Sequence, residues 1–398
     1  MIPNGSLNVT KNAKANVHWA DRESVGDFPW PAAEDGAYAK RFLLPLLEHS
    51  AAFFIANIRT RLYVLRTGEH VLPVTVNEEE YDNSYVCSPY THYVSYAKQE
   101  LYLIESRLAR RVFSGLLTVM GGLFRAGQFN RTVHANNWLV STNLYPSCTS
   151  EELRAVTELL LERFPDHALV YRSLNRTTHA ELIDSLQREG FRLVPSRQIY
   201  FLEPSNPARM NAKARWLVKR DYGLLASNQY EVLEHEELRV TDVPRLAELY
   251  RLLYLDKYSY DNPQFGERFF ELALRERLLH FQALRSTVTG RIDAVLGYFC
   301  RNGVMTTPVF GYDTSLPQEL GLYRMLSAVL IKQARSNGHL LHESSGAAQF
   351  KRNRGAVADI EYSAVYDAHL PWHRRAGWAF LQVVLNRVGV PLLQKYKL

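Results

Sequence analysis

Val295-Leu296-Gly297-Tyr298-Phe299-Cys300, Asn302-Gly303 and Thr306-Thr307-Pro308-Val309-Phe310-Gly311 follow one another in the stretch whose reading decides the fold. Two apolar runs joined through Asn-Gly predict a β-hairpin, because both central residues of a tight turn take positive φ there at little cost. Leu322, Met325, Leu326, Val329 and Leu330 then repeat at the spacing of one helix face. Asp313, Thr314 and Ser315 are candidate caps before that helix, and Asn337-Gly338 is the stop behind it. A short strand, His339 to Glu343, breaks into a small polar turn, Ser344-Ser345-Gly346-Ala347. Phe350-Lys351-Arg352-Asn353-Arg354-Gly355 is cationic, and Ile360 to Tyr366 closes the stretch as a strand.

The preceding chain offers a looser copy of this order. Residues 1–40 read as a polar lead-in, residues 38–58 as a helix and Leu62 to Leu65 as a strand. Tyr81, Tyr85, Tyr90, Tyr93 and Tyr96 make a dense cluster, either a ligand-facing surface or ordinary half-buried packing. Residues 100–124 predict one long helix or two broken near Gly121-Gly122. Trp138 to Leu144 predicts a strand, and Thr149 with Glu152 a capping box before a helix bearing Leu153, Val156, Leu160 and Phe164. Ala168 to Leu174 and Arg197 to Leu202 read as strands, with Thr178 and Glu181 as a second capping box between them. Pro204 and Pro207 mark a domain boundary, dividing the chain into units 1–203 and 204–398. After it, Arg209, Lys213, Arg215, Lys219 and Arg220 flank Trp216, a stripe that fits phosphates or RNA, or a solvated basic helix. Residues 242–254 and 269–279 read as helices, and residues 256–264 as their polar connector.

Hairpin, helix, strand, basic segment, strand resembles the donor and acceptor half of a GNAT-superfamily acyltransferase. The run Gly346-Ala-Ala-Gln-Phe350-Lys351-x-x-Arg354-Gly355, followed by Glu361-Tyr362-Ser-Ala-Val-Tyr, is similar to the Fem-type branch, which carries two such folds in one chain and includes peptidoglycan aminoacyltransferases. The resemblance covers most of the chain after about Asn136. It implies an α/β fold of two tandem units, each a mixed sheet flanked by helices, with the second unit carrying the chemistry. It implies an N-acyltransferase whose donor is an acyl-CoA, an acyl-carrier protein or an aminoacyl-tRNA, held as a co-substrate with no tightly bound cofactor. The acceptor would be the amine of an amino acid, peptide or amino-bearing precursor. A GNAT-like protein that only binds its ligand is the non-enzymatic alternative.

Acyl transfer to an amine needs a polarised carbonyl, a nucleophile deprotonated in place and a proton for the leaving group. Of the two polar residues ending the short strand, His342 and Glu343, alternation lets one face the cleft. Glu343 is the candidate base, with Leu341 on its own face to help bury it; the structural alternative pairs it with Lys351 or Arg354. Tyr258 and Tyr323 are candidate acids. The resemblance puts the carbonyl-polarising backbone near Val309 and Gly311, and a cofactor diphosphate at the helix start, at Gln318 and Gly321. The family loop reads Arg/Gln-x-x-Gly-x-Gly/Ala; here Gln318-Glu319-Leu320-Gly321-Leu322-Tyr323 carries Tyr323 where a small residue belongs, and Glu319 would repel a phosphate. In such folds the connector between the first two helices lies over the acceptor, which singles out Lys257, Tyr260 and Asn262. Ser344, Ser345, Lys351 and Arg354 form a possible cradle for an anion, or a brace for the last two strands through Glu343, Asp359 or Glu361.

Composition bounds these readings. At 398 residues, 46% hydrophobic and 22% charged, the chain has the material for two ordinary cores. A net charge of +6 favours anionic partners without selecting among them. Three widely spaced cysteines, Cys87, Cys148 and Cys300, make no disulfide framework or zinc site and suit a reducing compartment. His369 and His373 have helical metal-ligand spacing but no third partner, so no metal is expected. Residues 1–12 lack a signal-peptide core, and residues 112–124 fall short of the ~20 residues a spanning helix needs, which reads as a buried helix in a cytoplasmic protein.

Overall fold

A computed structural model describes residues 17–99, 101 and 106–396. Its strands, numbered in chain order, are β1 (Val17–Ala20), β2 (Arg61–Thr67), β3 (His70–Asn77), β4 (Thr132–Ala135), β5 (Ala168–Asn175), β6 (Arg192–Leu202), β7 (Tyr230–Leu233), β8 (His280–Ser286), β9 (Ile292–Arg301), β10 (Val304–Tyr312), β11 (Leu340–His342) and β12 (Val357–Tyr366). The predicted hairpin is β9–β10, and Asn302 and Gly303 at its tip have φ of 50° and 74°, as its short turn requires. The expected class, α/β with a mixed sheet and flanking helices, holds.

All twelve strands join one sheet in the order β1-β2-β3-β4-β5-β12-β6-β11-β10-β9-β8-β7. That order repeats itself from both ends: each strand of the first six occupies the place mirrored by the strand six later. β4 runs parallel to β5, as β10 does to β11, and the other pairs are antiparallel. Helices repeat as well: Ser150–Arg163 joins β4 to β5, and Leu322–Ser336 joins β10 to β11. Two similar halves are therefore related by a pseudo-twofold axis between β6 and β12, and they exchange their last strands. β12, from the second half, lies between β5 and β6 of the first; β6 in turn pairs with β11. Residues 204–207 do connect the halves, but sheet and core run across that point. The largest apolar cluster mixes Phe42, Leu46 and Trp138 with Leu246, Phe269 and Phe281.

Where the strands cross over, Glu361 of β12 stands directly opposite Arg197 of β6. The carboxylate accepts from Arg197 Nε at 2.9 Å and Nη2 at 3.1 Å, and Nη2 also donates to the carbonyl of Ser141 at 2.8 Å. Glu361 is thereby committed to the strand crossing and not to Lys351 or Arg354.

Local differences from expectation have identifiable causes. Residues 138–144 are a loop, not a strand: Asn136 and Leu139 have φ of 55° and 60°, and Trp138 N–H is held by Asn143 Oδ1 at 3.1 Å. The strand of that region is β4, just before it. The Thr149–Glu152 capping box is present, whereas the helix at Arg176–Arg188 is capped by Asn175 and not by Thr178. β1 lies inside the stretch read as lead-in. Glu100 and residues 102–105 of the long expected helix, like residues 1–12, lie outside the described residues. The rest, Arg107–Ala126, runs unbroken through Gly121-Gly122. It is not buried: Leu108, Val112, Leu116, Val119 and Leu123 are exposed.

Replacing Glu361 by Gln leaves the Arg197 guanidinium buried without a counter-charge. Chemical denaturation is expected to register a loss of about 3 kcal/mol, with the midpoint shifted and the slope unchanged.

Candidate active site

The parallel pair β10–β11 is registered over three positions, Val304 with Leu340, Met305 with Leu341 and Thr306 with His342. β11 ends there while β10 continues to Tyr312, past a register shift between Thr306 and Val309. Pro308 sits inside that bulge and has no N–H to donate, which is where an irregular ladder tolerates proline. The two strands part into a wedge, and Thr307 Oγ1 at its root is buried without a hydrogen-bond partner among the described residues.

Glu343 is the first residue beyond the paired segment, its N–H already given to the Tyr200 carbonyl of β6 at 2.9 Å. Its carboxylate Oε2 is buried and has no hydrogen-bond partner among the described residues. Burial pushes the Glu343 carboxyl up to about 7, against the opposing charges of Lys351 and Arg354. His342, on the other face, is fully buried, accepts the Ser344 N–H at Nδ1 (3.1 Å), and is held neutral by burial and by Arg197. Strand alternation puts Glu343 and His342 on opposite faces.

Tyr323 lies near this carboxylate, with further aromatic residues around its own ring. Burial first, then the Glu343 charge and the Tyr258 and Tyr254 phenols, raise the Tyr323 phenol above its ordinary value, so it keeps its proton. The Tyr323 ring packs at 4.8 Å from Phe350, 5.5 Å from Phe310 and 6.3 Å from Tyr312. Tyr254 and Tyr258 come from a π-helical turn, Arg251–Tyr258, that continues the helix Val243–Tyr250. Such turns are rare and are enriched at functional sites. Tyr254, with Tyr312 on β10, was missed in the sequence; its only signal was its place one turn before Tyr258.

The first half completes the site. Burial, then the neighbouring Tyr85, Tyr258 and Tyr96 phenols, raise the Tyr254 phenol, so Tyr85 and Tyr96 of the tyrosine-dense stretch lie near Tyr254. The connector after Tyr258 is pinned to the same half. Asn57 Nδ2 donates to the carbonyls of Tyr260 (3.0 Å) and Asn262 (2.8 Å), Ser84 Oγ to that of Asp261 (3.0 Å), and Gln99 Nε2 to the Asp261 carboxylate (2.9 Å).

The remaining sequence candidates divide by role. Lys257 reaches the rim, where its ammonium donates to Tyr312 Oη at 3.1 Å. Exposed Tyr260 donates to Asp256 at 2.5 Å. Asn262 is buried and donates to the carbonyls of Tyr254 (2.9 Å) and Ser259 (3.0 Å), so it shapes the connector. Lys351 is buried; its ammonium donates to the carbonyls of Glu343 (2.6 Å) and Ser345 (2.8 Å), with Ser344 at 3.4 Å. Burial lowers its pKa despite the Glu343 charge. Arg354 is buried against Asp221, which also accepts from Arg324 at 2.6 Å. Burial alone would raise the Asp221 pKa, but these arginines outweigh it and hold it low. The two cations of the expected anion cradle therefore brace the Ser344-Ser345 turn and the helix Ala212–Ser227.

Val309 and Gly311 lie along the open edge of β10, and a Cβ on Gly311 would stand 2.5 Å from the Leu249 carbonyl. Gly321, at φ 70°, begins the helix Leu322–Ser336, with Gln318 exposed just before it. A separate groove of about 440 Å3 lies between this helix and Ala212–Ser227, with Arg215, Lys219, Lys332 and Arg335 over Val218 and Ile331. None of its lining residues belongs to the group around Glu343. His369 Nε2 donates to the His167 carbonyl at 3.0 Å, which removes it from the metal-like pair with His373. Among the described residues His70, Cys148 and Glu152 have metal-compatible spacing, but burial pushes the Cys148 thiol up to about 12 and Glu152 caps Thr149.

A carboxyl with a raised native pKa binds its proton more tightly folded than unfolded. Stability is thus fullest below the unfolded value near 4.3 and falls as pH rises toward 7. Glu343→Gln removes this titration, so the loss of stability between pH 4.5 and pH 8, measured by urea unfolding at both values, should be smaller in the variant than in the parent.

No protein-family model and no curated protein matches the sequence. Several solved structures are similar in chain path. L-PGS from Bacillus licheniformis is 13% identical over 54% of this chain and 72% of its own, with a TM-score of 0.42. FemX is 8% identical over 54% and 77%, with a TM-score of 0.42. A tandem GNAT protein from the clavulanic acid biosynthesis pathway is 9% identical over 88% and 98%, with a TM-score of 0.38.

Proposed function

We propose that the chain is an N-acyltransferase whose chemistry is carried at the β10–β11 wedge. The observation behind this reading is the Glu343 carboxyl: its Oε2 is buried without a hydrogen-bond donor among the described residues, and burial raises its pKa beside the protonated Tyr323 phenol. A carboxyl raised in this direction exchanges its proton closer to neutral pH than a free one and can accept a proton from an incoming ammonium or amine. The amine nitrogen forms a bond to the donor carbonyl carbon, the carbon–sulfur bond of a thioester breaks, and the amine proton passes to Glu343. Tyr258, at the open side of the cleft, returns a proton to the departing thiolate. The backbone near Val309 and Gly311 would face the carbonyl, and Gln318 and Gly321 the donor's phosphates. The aromatic walls and the rim ammonium of Lys257 fit a small amine-bearing acceptor with a carboxylate.

A second reading of the donor rests on the basic groove. Lys219, Lys332 and Arg335 along two helices, beside exposed Trp216 with Arg220 5.0 Å over its ring, fit an extended polyanion, hence an aminoacyl-tRNA. The bond broken would then be the carbon–oxygen bond of an ester, with the same base.

Mass spectrometry of what the purified chain retains distinguishes the donors at the outset, coenzyme A species for one and RNA for the other. Glu343→Gln should lower turnover with the identified pair by a factor of 100 or more while leaving donor affinity within about twofold. Retained turnover would remove Glu343 as base. Changing Lys219, Lys332 and Arg335 together to Gln should weaken RNA binding and flatten its salt dependence by roughly one unit of log slope per lost contact, if RNA is the donor. With a thioester donor the same changes should leave turnover unaltered.

A further inference from the structure

The two halves differ most at one place. β9 and β10 are joined by Asn302-Gly303, whereas their counterparts β3 and β4 are separated by residues 78–131. The pseudo-symmetry shows that the sheet closes without such an insertion. Its main element is the helix Arg107–Ala126, which packs on the protein through Met120, Gly121 and Phe124. A different face, Leu108, Val112, Leu116, Val119 and Leu123, is exposed by 49 to 74%. These five recur at intervals of three and four residues and so form one stripe along the helix. An uninterrupted apolar stripe of this length facing water is uncommon on a soluble surface and marks a contact.

A second helix continues the pattern. Gly127, at the end of the first, lies against the His373 carbonyl, and Gly377 packs on Phe124 and Phe129. From this junction the helix Trp372–Val384 presents Trp372, Phe380 and Val383 to solvent, at intervals that again share one face. With the turns that follow it, the segment Trp372–Leu393 is long and apolar enough to cross a membrane. It is nevertheless fixed lengthwise to the protein: Trp378 and Leu381 are buried, and Arg374 donates to the carbonyls of Asp166 and, at 3.3 Å, Arg131.

Charge selects the occupant. Neither helix Arg107–Ala126 nor residues 372–396 contain an Asp or Glu, while exposed Arg107 and Arg111 sit on the first and exposed Arg375 and Arg387 on the segment that begins with the second. A second copy of this face would oppose cation to cation. An anionic bilayer surface satisfies both features, apolar stripes entering the acyl boundary and arginines meeting headgroups, as for helices that lie in the interface. We infer that the chain docks on anionic lipid surfaces through these two helices, lying on the bilayer without crossing it.

Flotation of the full chain with vesicles of phosphatidylcholine, alone or with phosphatidylglycerol, tests this. The chain should bind the phosphatidylglycerol vesicles at least tenfold more tightly, with the preference reduced by added salt. The double substitution Leu116→Glu and Val119→Glu, at exposed positions, should lower that binding at least tenfold with an unchanged melting temperature, and Val383→Glu should do so separately. Absence of binding to anionic vesicles at low salt overturns the inference, as does equal binding by the folded variants. Sedimentation showing a dimer that the double substitution dissociates would also overturn it, assigning the face to a second copy.

Discussion

The exchange of β6 and β12 is the constraint on which the rest of the molecule depends. Each strand closes the sheet of the other half, so neither half can complete its ladder without its partner. Arg197 and Glu361 face one another at that crossing, and the pair is desolvated on both sides. Buried ion pairs of this kind add little net stability over an apolar pair, but they penalise any register in which the charges separate. A one-residue slip of β12 would send its whole buried face outward and strand Arg197 as well. The pair is thus a register device at the point where register decides whether two halves become one body.

The wedge at Glu343 follows from the same crossing. β11 pairs with β10 on one side and β6 on the other, and the chain bonds to Tyr200 of β6 as soon as the ladder with β10 ends. Lys351 stabilises that turn by gathering its carbonyls, and Arg354 with Asp221 fixes the segment that follows. Neither cation bonds to the buried Oε2 of Glu343, which has no hydrogen-bond partner among the described residues, yet both are near enough to limit how far burial raises its pKa. The braces and the chemistry are neighbours for a physical reason: a carboxylate can be held both buried and ionisable only where a compensating charge is close but not in contact.

Both halves also contribute to the cleft in a way that neither could alone. The second half supplies the wedge and the π-helical turn with Tyr254 and Tyr258. The first supplies Tyr85, Tyr96 and the side chains of Asn57, Ser84 and Gln99 that hold the connector. The insertion at residues 78–131 serves two surfaces, its beginning facing this cleft and its long helix facing solvent.

Local order was legible in the chain itself. Asn302-Gly303, the apolar face of Leu322 to Leu330 and the Thr149–Glu152 box each depend on residues within a few positions of one another, and appear as read; the short strand read over residues 339–343 is present as Leu340–His342. What failed were readings in which a local pattern has two solutions. Trp138 to Leu144 has the composition of a strand, but left-handed residues and a side-chain bond fold it into a loop. Residues 112–124 are apolar enough for a core, yet one stripe faces water, because periodicity reports that a helix has an apolar face and not what covers it. The partners of Lys351, Arg354 and Glu361, the meeting of Tyr85 with Tyr254, and the exchange of β6 with β12 link residues far apart in sequence. Spacing along a chain carries no trace of such pairings; only the packing of the two halves against each other decided them.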